Sequence, residues 1–239
     1  MLGRFLEISL QTGDIRASVE FYERLGFTQC ETGDVWPHPY GVMTDGRIAI
    51  GLHEYRFPSP SLTFVRPEIS RHARDFETAG IRFAFQRLGD EVFHEIGFRD
   101  PHQHMVTVLE ARTFSPSTRG RDEVSLCGDF AEYSMPSNDF AAAVRFWEPL
   151  GFVATGIEAA PYEHMPLTSD HLDLAFHARA TADRPLLVFR TPDMDARIAW
   201  LASVGIAMSE ELPPELSSAG HARIDTPEGA TLLLSSLSD

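Results

Sequence analysis

Residues 5–11 alternate strictly between apolar and polar side chains, and this period of two predicts a half-buried strand. The polar face of that strand carries Glu7, Ser9 and Gln11. Asp14 then occupies the position of a helix N-cap, and apolar residues recur at helical spacing until Gly26, which predicts the end of the helix. Three short apolar strands are predicted after this helix, at 27–30, 41–44 and 47–53. The first unit therefore has the order βαβββ.

The same pattern returns 125 residues further along the chain. The segment DIRASVEFYERLGF at 14–27 is matched by DFAAAVRFWEPLGF at 139–152, and a repeat of this length indicates a duplicated domain. A second βαβββ pattern begins at Ser61 in the first half and at Leu186 in the second. We therefore predict an α+β fold of four βαβββ units, in which open, curved mixed sheets leave a concave face as a ligand cleft.

A polar segment separates the two halves. Residues 112–123 read RTFSPSTRGRDE, which is rich in Ser, Thr, Pro and Gly and has no apolar period, as is typical of a linker. The predicted organisation is a first domain at 1–111, a linker at 112–124 and a second domain at 125–239. Because two fused domains of one fold can mimic a dimer within one chain, we expect either a monomer or a homodimer.

Charge and composition limit the partners. The formal net charge is −15 and the sequence pI is about 5.0, which disfavours both nucleic acid and an anionic membrane surface. No apolar run approaches the roughly 20 residues of a membrane-spanning helix, and no leader pattern precedes the first strand. Cys30 and Cys127 are the only cysteines, which favours a reducing compartment. We therefore expect a cytoplasmic protein whose partner is a small molecule.

The repeated pattern of a strand, an aspartate and a helix ending in FYxxLGF resembles the vicinal oxygen chelate superfamily. This superfamily includes glyoxalase I, extradiol dioxygenases, fosfomycin-resistance enzymes and bleomycin resistance proteins. Asp100-Pro101 before the last strand of the first half matches the Asp-Pro turn of the family, and residues 224–229 match it more loosely. The resemblance covers nearly the whole chain apart from the linker. It implies two glyoxalase-like domains, although the scaffold hosts unrelated chemistries.

The resemblance also implies where a metal would bind. Enzymes of the family hold a divalent ion, such as Zn, Ni, Mn or Fe, with His, Gln or Glu side chains from the first and last strands of the units. The first-strand position falls on Glu7 and on Glu132, whereas the last-strand position falls on Thr107 and Leu233, which are not normal ligands. We therefore expect an incomplete metal site. The better of the incomplete sets is Glu132, Asp173 and His177.

Two carboxylates and two histidines are the strongest candidates for chemistry. Glu7 and Glu132 are interpreted as catalytic residues, either metal ligands or bases, with a cleft-lining carboxylate or a structural salt bridge as the alternatives. His53 and His177 recur at nearly equivalent positions, as ligands, bases or strand-end histidines satisfied by the backbone and solvent. The predicted ligand-binding residues are Ser9, Gln11, Trp36, His38, Tyr40, His53, Thr107, Ser134, Tyr162 and His164.

Two classes of function follow. The first is a binding protein that holds a small, aromatic molecule in a cleft of the sheet without the family's full metal site. The alternative is a metal-dependent lyase, isomerase or dioxygenase that acts on a bidentate oxygen substrate. In either case one half of the chain could be purely structural and serve only to shape the cleft of the other.

Overall fold

The computed structural model describes residues 2–32, 36–111 and 124–236. Apart from Val124, the predicted linker lies outside the described residues. The elements of the first half are β1 (Arg4–Gln11), α1 (Ile15–Arg24), β2 (Thr28–Cys30), β3 (Tyr40–Thr44), β4 (Ala49–His53), β5 (Ser61–Arg66), α2 (Ile69–Thr78), β6 (Phe83–Arg87), β7 (Glu95–Arg99) and β8 (Met105–Glu110). The elements of the second half are β9 (Asp129–Ser137), α3 (Phe140–Trp147), a 3-10 turn (Glu148–Leu150), β10 (Val153–Ala154), β11 (His164–Thr168), β12 (Leu174–Ala178), β13 (Leu186–Thr191), α4 (Met194–Ser203), β14 (His221–Asp225) and β15 (Thr231–Ser236).

The strands form two open mixed sheets. The first has eight strands in the order β2-β3-β4-β1-β5-β8-β7-β6, and the second has seven in the order β10-β11-β12-β9-β13-β15-β14. In the first sheet β1 runs parallel to β4 and antiparallel to β5, which in turn runs parallel to β8. The second sheet repeats these pairings, with β9 between β12 and β13. The first strands of the four units therefore lie at the centres of the sheets.

The helix starts follow the sequence signals. The Asp14 side chain accepts a hydrogen bond from the Ala17 N–H at 3.1 Å, and the Asp139 side chain accepts one from the Ala142 N–H at 2.9 Å. These bonds satisfy backbone donors that the first turn of a helix leaves unpaired. Gly26, which follows α1, has a φ of 82°, a left-handed conformation that glycine adopts without a steric penalty.

The fourth unit departs from the predicted repeat. Helices α1, α2 and α3 are each followed by three strands, whereas α4 is followed by β14 and β15 alone among the described residues. At the place of the missing strand, Ser209 makes only an isolated bridge to Arg223. The segment continues through Pro213 and Pro214, which have no N–H to donate to a ladder. The prediction of four complete βαβββ units was therefore wrong in this unit.

The two halves share one hydrophobic core. A single cluster of buried side chains includes Phe98 from the first half and Trp147 from the second. Aromatic rings meet edge to face across the two halves, with Phe27 and Phe189 at a centroid distance of 6.0 Å. Within the described part of the chain, none of the helices has the length and apolar character needed to cross a bilayer.

Candidate functional site

A cavity of about 490 Å³ lies on one face of the first sheet. Six strands of that sheet contribute to its lining, so the sheet curves around it. Glu7 pairs with Thr63, and Thr63 pairs with Thr107, which places these three side chains in one row on the same face. Ser9, Ser61, Thr63 and Thr107 form two further hydrogen-bonded pairs along the floor, Ser9–Thr63 at 2.7 Å and Ser61–Thr107 at 2.9 Å. The floor of the cavity is therefore polar and internally bonded.

The carboxylate of Glu7 is the most constrained group of this floor, and only 1% of the residue is exposed. Its Oε1 accepts from the Ser9 hydroxyl at 2.7 Å and from His53 Nε2 at 2.9 Å. Its Oε2 accepts from the Tyr40 hydroxyl at 2.6 Å. Three donors converge on one buried carboxylate, and such bonds are what make the burial of a charge tolerable.

A second histidine extends this group towards the cavity. His38 Nε2 lies 3.0 Å from His53 Nδ1, so that Glu7, His53 and His38 form one hydrogen-bonded chain. Burial lowers the pKa of His38, and the neighbouring His53 lowers it further. The ring of His38 stacks on that of Tyr55, at a centroid distance of 5.0 Å and an interplanar angle of 19°.

Aromatic side chains surround the mouth of the cavity. Trp36 lies edge to face against both His53 and Phe93, at centroid distances of 5.3 and 6.5 Å. Tyr55 and Phe93 are more than half exposed. Soluble proteins seldom expose neighbouring large aromatic rings without a binding role. The cavity therefore combines an apolar, open mouth with a polar, closed floor.

The second sheet carries the corresponding positions, but its cleft is filled. Ser134 pairs with Leu186, and Glu132 pairs with Val188, which in turn pairs with Leu233. By strand register these three apolar residues correspond to Ser61, Thr63 and Thr107 of the first sheet. Together with Tyr162 they form a buried hydrophobic cluster. Leu186 and Leu233 are larger than the serine and threonine at their positions, and Val188 has the shape of Thr63 without its hydroxyl. Leu212 and Leu216 pack against this cluster, so that side chains fill the second cleft.

Glu132 also has different partners from Glu7. Its Oε1 lies 3.5 Å from Arg190 Nη2 and 3.8 Å from His164 Nε2. Burial raises the pKa of Glu132, while the positive charge of Arg190 opposes that shift. His177 instead bonds the Ser134 hydroxyl at 2.8 Å and the Ala182 carbonyl at 3.2 Å. Burial lowers the pKa of His177 to about 4.

The proposed metal set of Glu132, Asp173 and His177 is not brought together. Asp173 is exposed and accepts a hydrogen bond from the Thr168 hydroxyl at 2.6 Å. Throughout residues 2–32, 36–111 and 124–236, no three His, Cys, Asp or Glu side chains are grouped so that they could hold a metal ion.

The first cleft does not fit the family's divalent ion either. Glu7, His53 and His38 are joined to one another by hydrogen bonds, and Glu95 pairs with Arg87. The row on the floor beside Glu7 consists of hydroxyl residues. A family-type site needs three carboxylate or imidazole ligands with positions left open for substrate oxygens.

The predicted site residues divide into four groups. Those that line the open cavity are Ser9, Trp36, His38, His53 and Thr107, together with Glu7, which was predicted as a catalytic residue. Tyr40 supports the cavity through its bond to Glu7, and Ser134, Tyr162 and His164 are buried in the filled cleft. Gln11 does not line the cavity; its backbone N–H bonds Ser59 at the end of β1.

Several residues that shape the cavity were not predicted from the sequence. Thr63 could have been predicted, because it lies two residues after Ser61 on a predicted strand and therefore on the same face. Gly51, whose Cα leaves room for the Glu7 carboxylate, carried no local signal. Tyr55 and Phe93 come from loops, where no periodicity indicates the direction of a side chain.

Comparisons with known proteins identify the fold. No family model matches the chain, and no curated protein does so. Among solved structures, a catechol 2,3-dioxygenase matches at 14% identity with a TM-score of 0.60, over 99% of this chain and 88% of that one. The 2,3-dioxygenase LapB from Pseudomonas sp. KL28 matches at 12% identity with a TM-score of 0.64, over 100% and 94%. A variant of homoprotocatechuate 2,3-dioxygenase from B. fuscum in complex with HPCA matches at 13% identity with a TM-score of 0.66, over 100% and 72%. At such low identity the likeness concerns the fold alone, and this chain shares that fold with the 2,3-dioxygenases.

Proposed function

We propose that the first half of the chain binds a small aromatic molecule in its cleft without a metal ion, and that the cleft of the second half is structural. The observation that carries this proposal is the contrast between the two clefts. One is an open cavity of about 490 Å³ with an aromatic mouth, and the other is packed with Leu186, Val188 and Leu233.

Size and lining support an aromatic ligand. Ligand pockets commonly measure about 300–1,000 Å³ and combine apolar walls with a few placed polar groups. Trp36, Tyr55 and Phe93 at the mouth offer ring faces and edges for stacking. One fold neighbour, homoprotocatechuate 2,3-dioxygenase, is known in complex with 3,4-dihydroxyphenylacetate, which is an aromatic molecule of suitable size.

The proposal is tested by substituting the apolar floor residues of the second cleft into the first. The triple variant Ser61→Leu, Thr63→Val, Thr107→Leu gives the first floor the residues found at the same register in the second. A panel of one-ring and two-ring aromatic compounds that includes 2-naphthol is titrated while tryptophan fluorescence is followed, with Trp36 as the reporter at the mouth. We expect the affinity to fall at least tenfold in the triple variant, because the cavity is occupied.

The matched control is Thr28→Val on the exposed edge strand β2, which should leave binding unchanged. Retention of the cooperative thermal transition shows that the triple variant is folded. Unchanged affinity in a folded triple variant, or the absence of binding by every compound of the panel, would contradict the proposal.

The alternative is a metal-dependent lyase, isomerase or dioxygenase, and it is favoured by the dioxygenase fold of the neighbours. Elemental analysis of untagged protein, purified without chelator and after reconstitution with Zn, Ni, Mn or Fe, decides between the two. We expect less than about a tenth of an equivalent to be retained, because Glu7, His53 and His38 are bonded to one another and Glu95 pairs with Arg87. About one equivalent that is lost on Glu7→Ala would instead establish the metal-dependent function.

We further propose that the protein acts in the cytoplasm as a monomer or a homodimer, with no nucleic-acid or membrane partner. The net charge of −15 supports the expectation about nucleic acid and membranes, because it repels both phosphate backbones and anionic lipids.

A further inference from the structure

We propose that Glu7 fixes the tautomers of His53 and His38, so that His38 presents an unprotonated Nδ1 to the cavity and selects a ligand with an O–H or N–H donor at that point. This inference rests on the proposed binding function and names the chemistry of the ligand. Its first half, the state of the two imidazoles, can be measured without any ligand.

The direction of the hydrogen bonds that join His38, His53 and Glu7 follows from the buried carboxylate of Glu7. A carboxylate can only accept hydrogen bonds, so His53 Nε2 must carry the proton in its 2.9 Å bond to Glu7. A neutral imidazole has a single N–H, which leaves His53 Nδ1 as an acceptor. His38 Nε2, at 3.0 Å from that atom, must then be the donor. By the same rule His38 Nδ1 keeps its lone pair.

The location of His38 allows the lone pair of its Nδ1 to recognise a ligand. His38 lines the cavity, and its Nδ1 has no hydrogen-bond partner among the described residues. The ring is held in place on one side by its stacking on Tyr55 and on the other by its bond to His53. A ligand that offers an acceptor at this place would leave two lone pairs facing each other, whereas a ligand donor would form a hydrogen bond to His38 Nδ1.

The other hydrogen bonds of Glu7 allow the donor and acceptor roles of this series to be reversed by substitution. In a Glu7→Gln variant, an amide nitrogen at the Oε1 position would donate to His53 Nε2 and to the Ser9 hydroxyl, which can pass its own proton to Thr63. The amide oxygen at the Oε2 position would still accept from Tyr40. Because this orientation satisfies every donor, we expect it to be preferred. Both imidazoles would then switch tautomer, and His38 would present an N–H to the cavity.

Nitrogen-15 NMR of the histidine side chains measures this switch directly. In the wild-type protein we expect both His38 and His53 to be neutral Nε2–H tautomers. In Glu7→Gln we expect both to become Nδ1–H tautomers. The control is Glu95→Gln, which removes a second carboxylate of the cavity that pairs with Arg87 and should leave both imidazoles unchanged. Doubly protonated His53 in the wild type, or unchanged tautomers in Glu7→Gln, would overturn the inference.

The ligand half is tested with a matched pair, 2-naphthol and its methyl ether, which differ in the O–H donor. We expect the wild-type protein to prefer 2-naphthol by at least about fivefold, and Glu7→Gln to lose or reverse that preference. Equal binding of both compounds by the wild type would overturn the donor selection and leave the binding function standing. Failure of both compounds, together with the rest of the aromatic panel, would refute the binding function, while the NMR result would still decide the tautomers.

Discussion

The carboxylate of Glu7 lies against the Cα of Gly51, in space that a Cβ at position 51 would occupy. Gly51 pairs with Ser9 on β1, and the residue that pairs with Ser134 at the same register of the second sheet is Ala175. A methyl group therefore stands in the second half at the register position where Gly51 has none. We infer that this single difference helps to direct Glu132 away from His177 and towards Arg190.

The substitution Gly51→Ala should therefore disable the first cleft. Its methyl group would displace the Glu7 carboxylate and break the bond to His53, leaving a buried charge without its partners. We expect a loss of about 1–3 kcal/mol in the free energy of unfolding and at least a tenfold weaker binding of the aromatic probe. Urea denaturation and the fluorescence titration measure the two effects. The control is Gly13→Ala, where a Cβ would have no neighbour within 4 Å, and an equal loss there would contradict the assignment.

A hydrogen bond between the halves should contribute to stability. The Tyr22 hydroxyl of α1 donates to Glu228 at 2.5 Å, and in the reciprocal position Trp147 Nε1 of α3 lies 3.4 Å from Asp100. Bonds to charged acceptors contribute about 1.5–3 kcal/mol. We expect Tyr22→Phe to lose an amount in that range by urea denaturation. Tyr55→Phe, at an exposed position, serves as the control and should lose almost nothing.

Acid should destabilise the protein through His177. Burial lowers the pKa of this imidazole from 6.5 to about 4, so the unfolded chain binds a proton in that interval while the folded protein does not. The contribution of His177 to the free energy of unfolding is fully present above pH 6.5. It is lost as the pH falls towards 4, and the total loss is about 3 kcal/mol. His177→Gln should flatten the fall of the unfolding free energy over this interval. Replacing the exposed His171 by Gln should leave the dependence of the unfolding free energy on pH unchanged. If that dependence persisted in His177→Gln, the assignment to His177 would be refuted.

The two thiols should differ in reactivity. Cys127 is fully buried, and burial raises its pKa to about 12, whereas Cys30 is half-buried at the end of β2. Because the thiolate is the reactive form, a disulfide reagent should modify one thiol per native chain and two in denaturant. Cys30→Ser should abolish the native reaction. Rapid modification of that variant would show that Cys127 is accessible.

The repeated unit, the helix starts and the apolar faces of the strands were predictable from the sequence. Asp14 and Asp139 cap their helices because the cap is a contact over three residues, which a local pattern records. The strand over residues 4–11 has Glu7 and Ser9 on one face, as the alternation predicts. The fourth unit escaped prediction, because the apolar residues after α4 do not reveal whether a third strand finds a partner in the sheet.

The sequence by itself thus determined three of the four repeat units and the cleft-facing positions of Glu7 and Ser9, since both depend on periodicities along a continuous stretch of chain. Tertiary structure alone decided which cleft is open and which partners Glu7 has. Those properties depend on side-chain volumes that meet across strands far apart in sequence, such as Thr63 beside Thr107 in one half and Val188 beside Leu233 in the other. They depend also on loop residues such as Tyr55 and Phe93, whose directions no local pattern specifies.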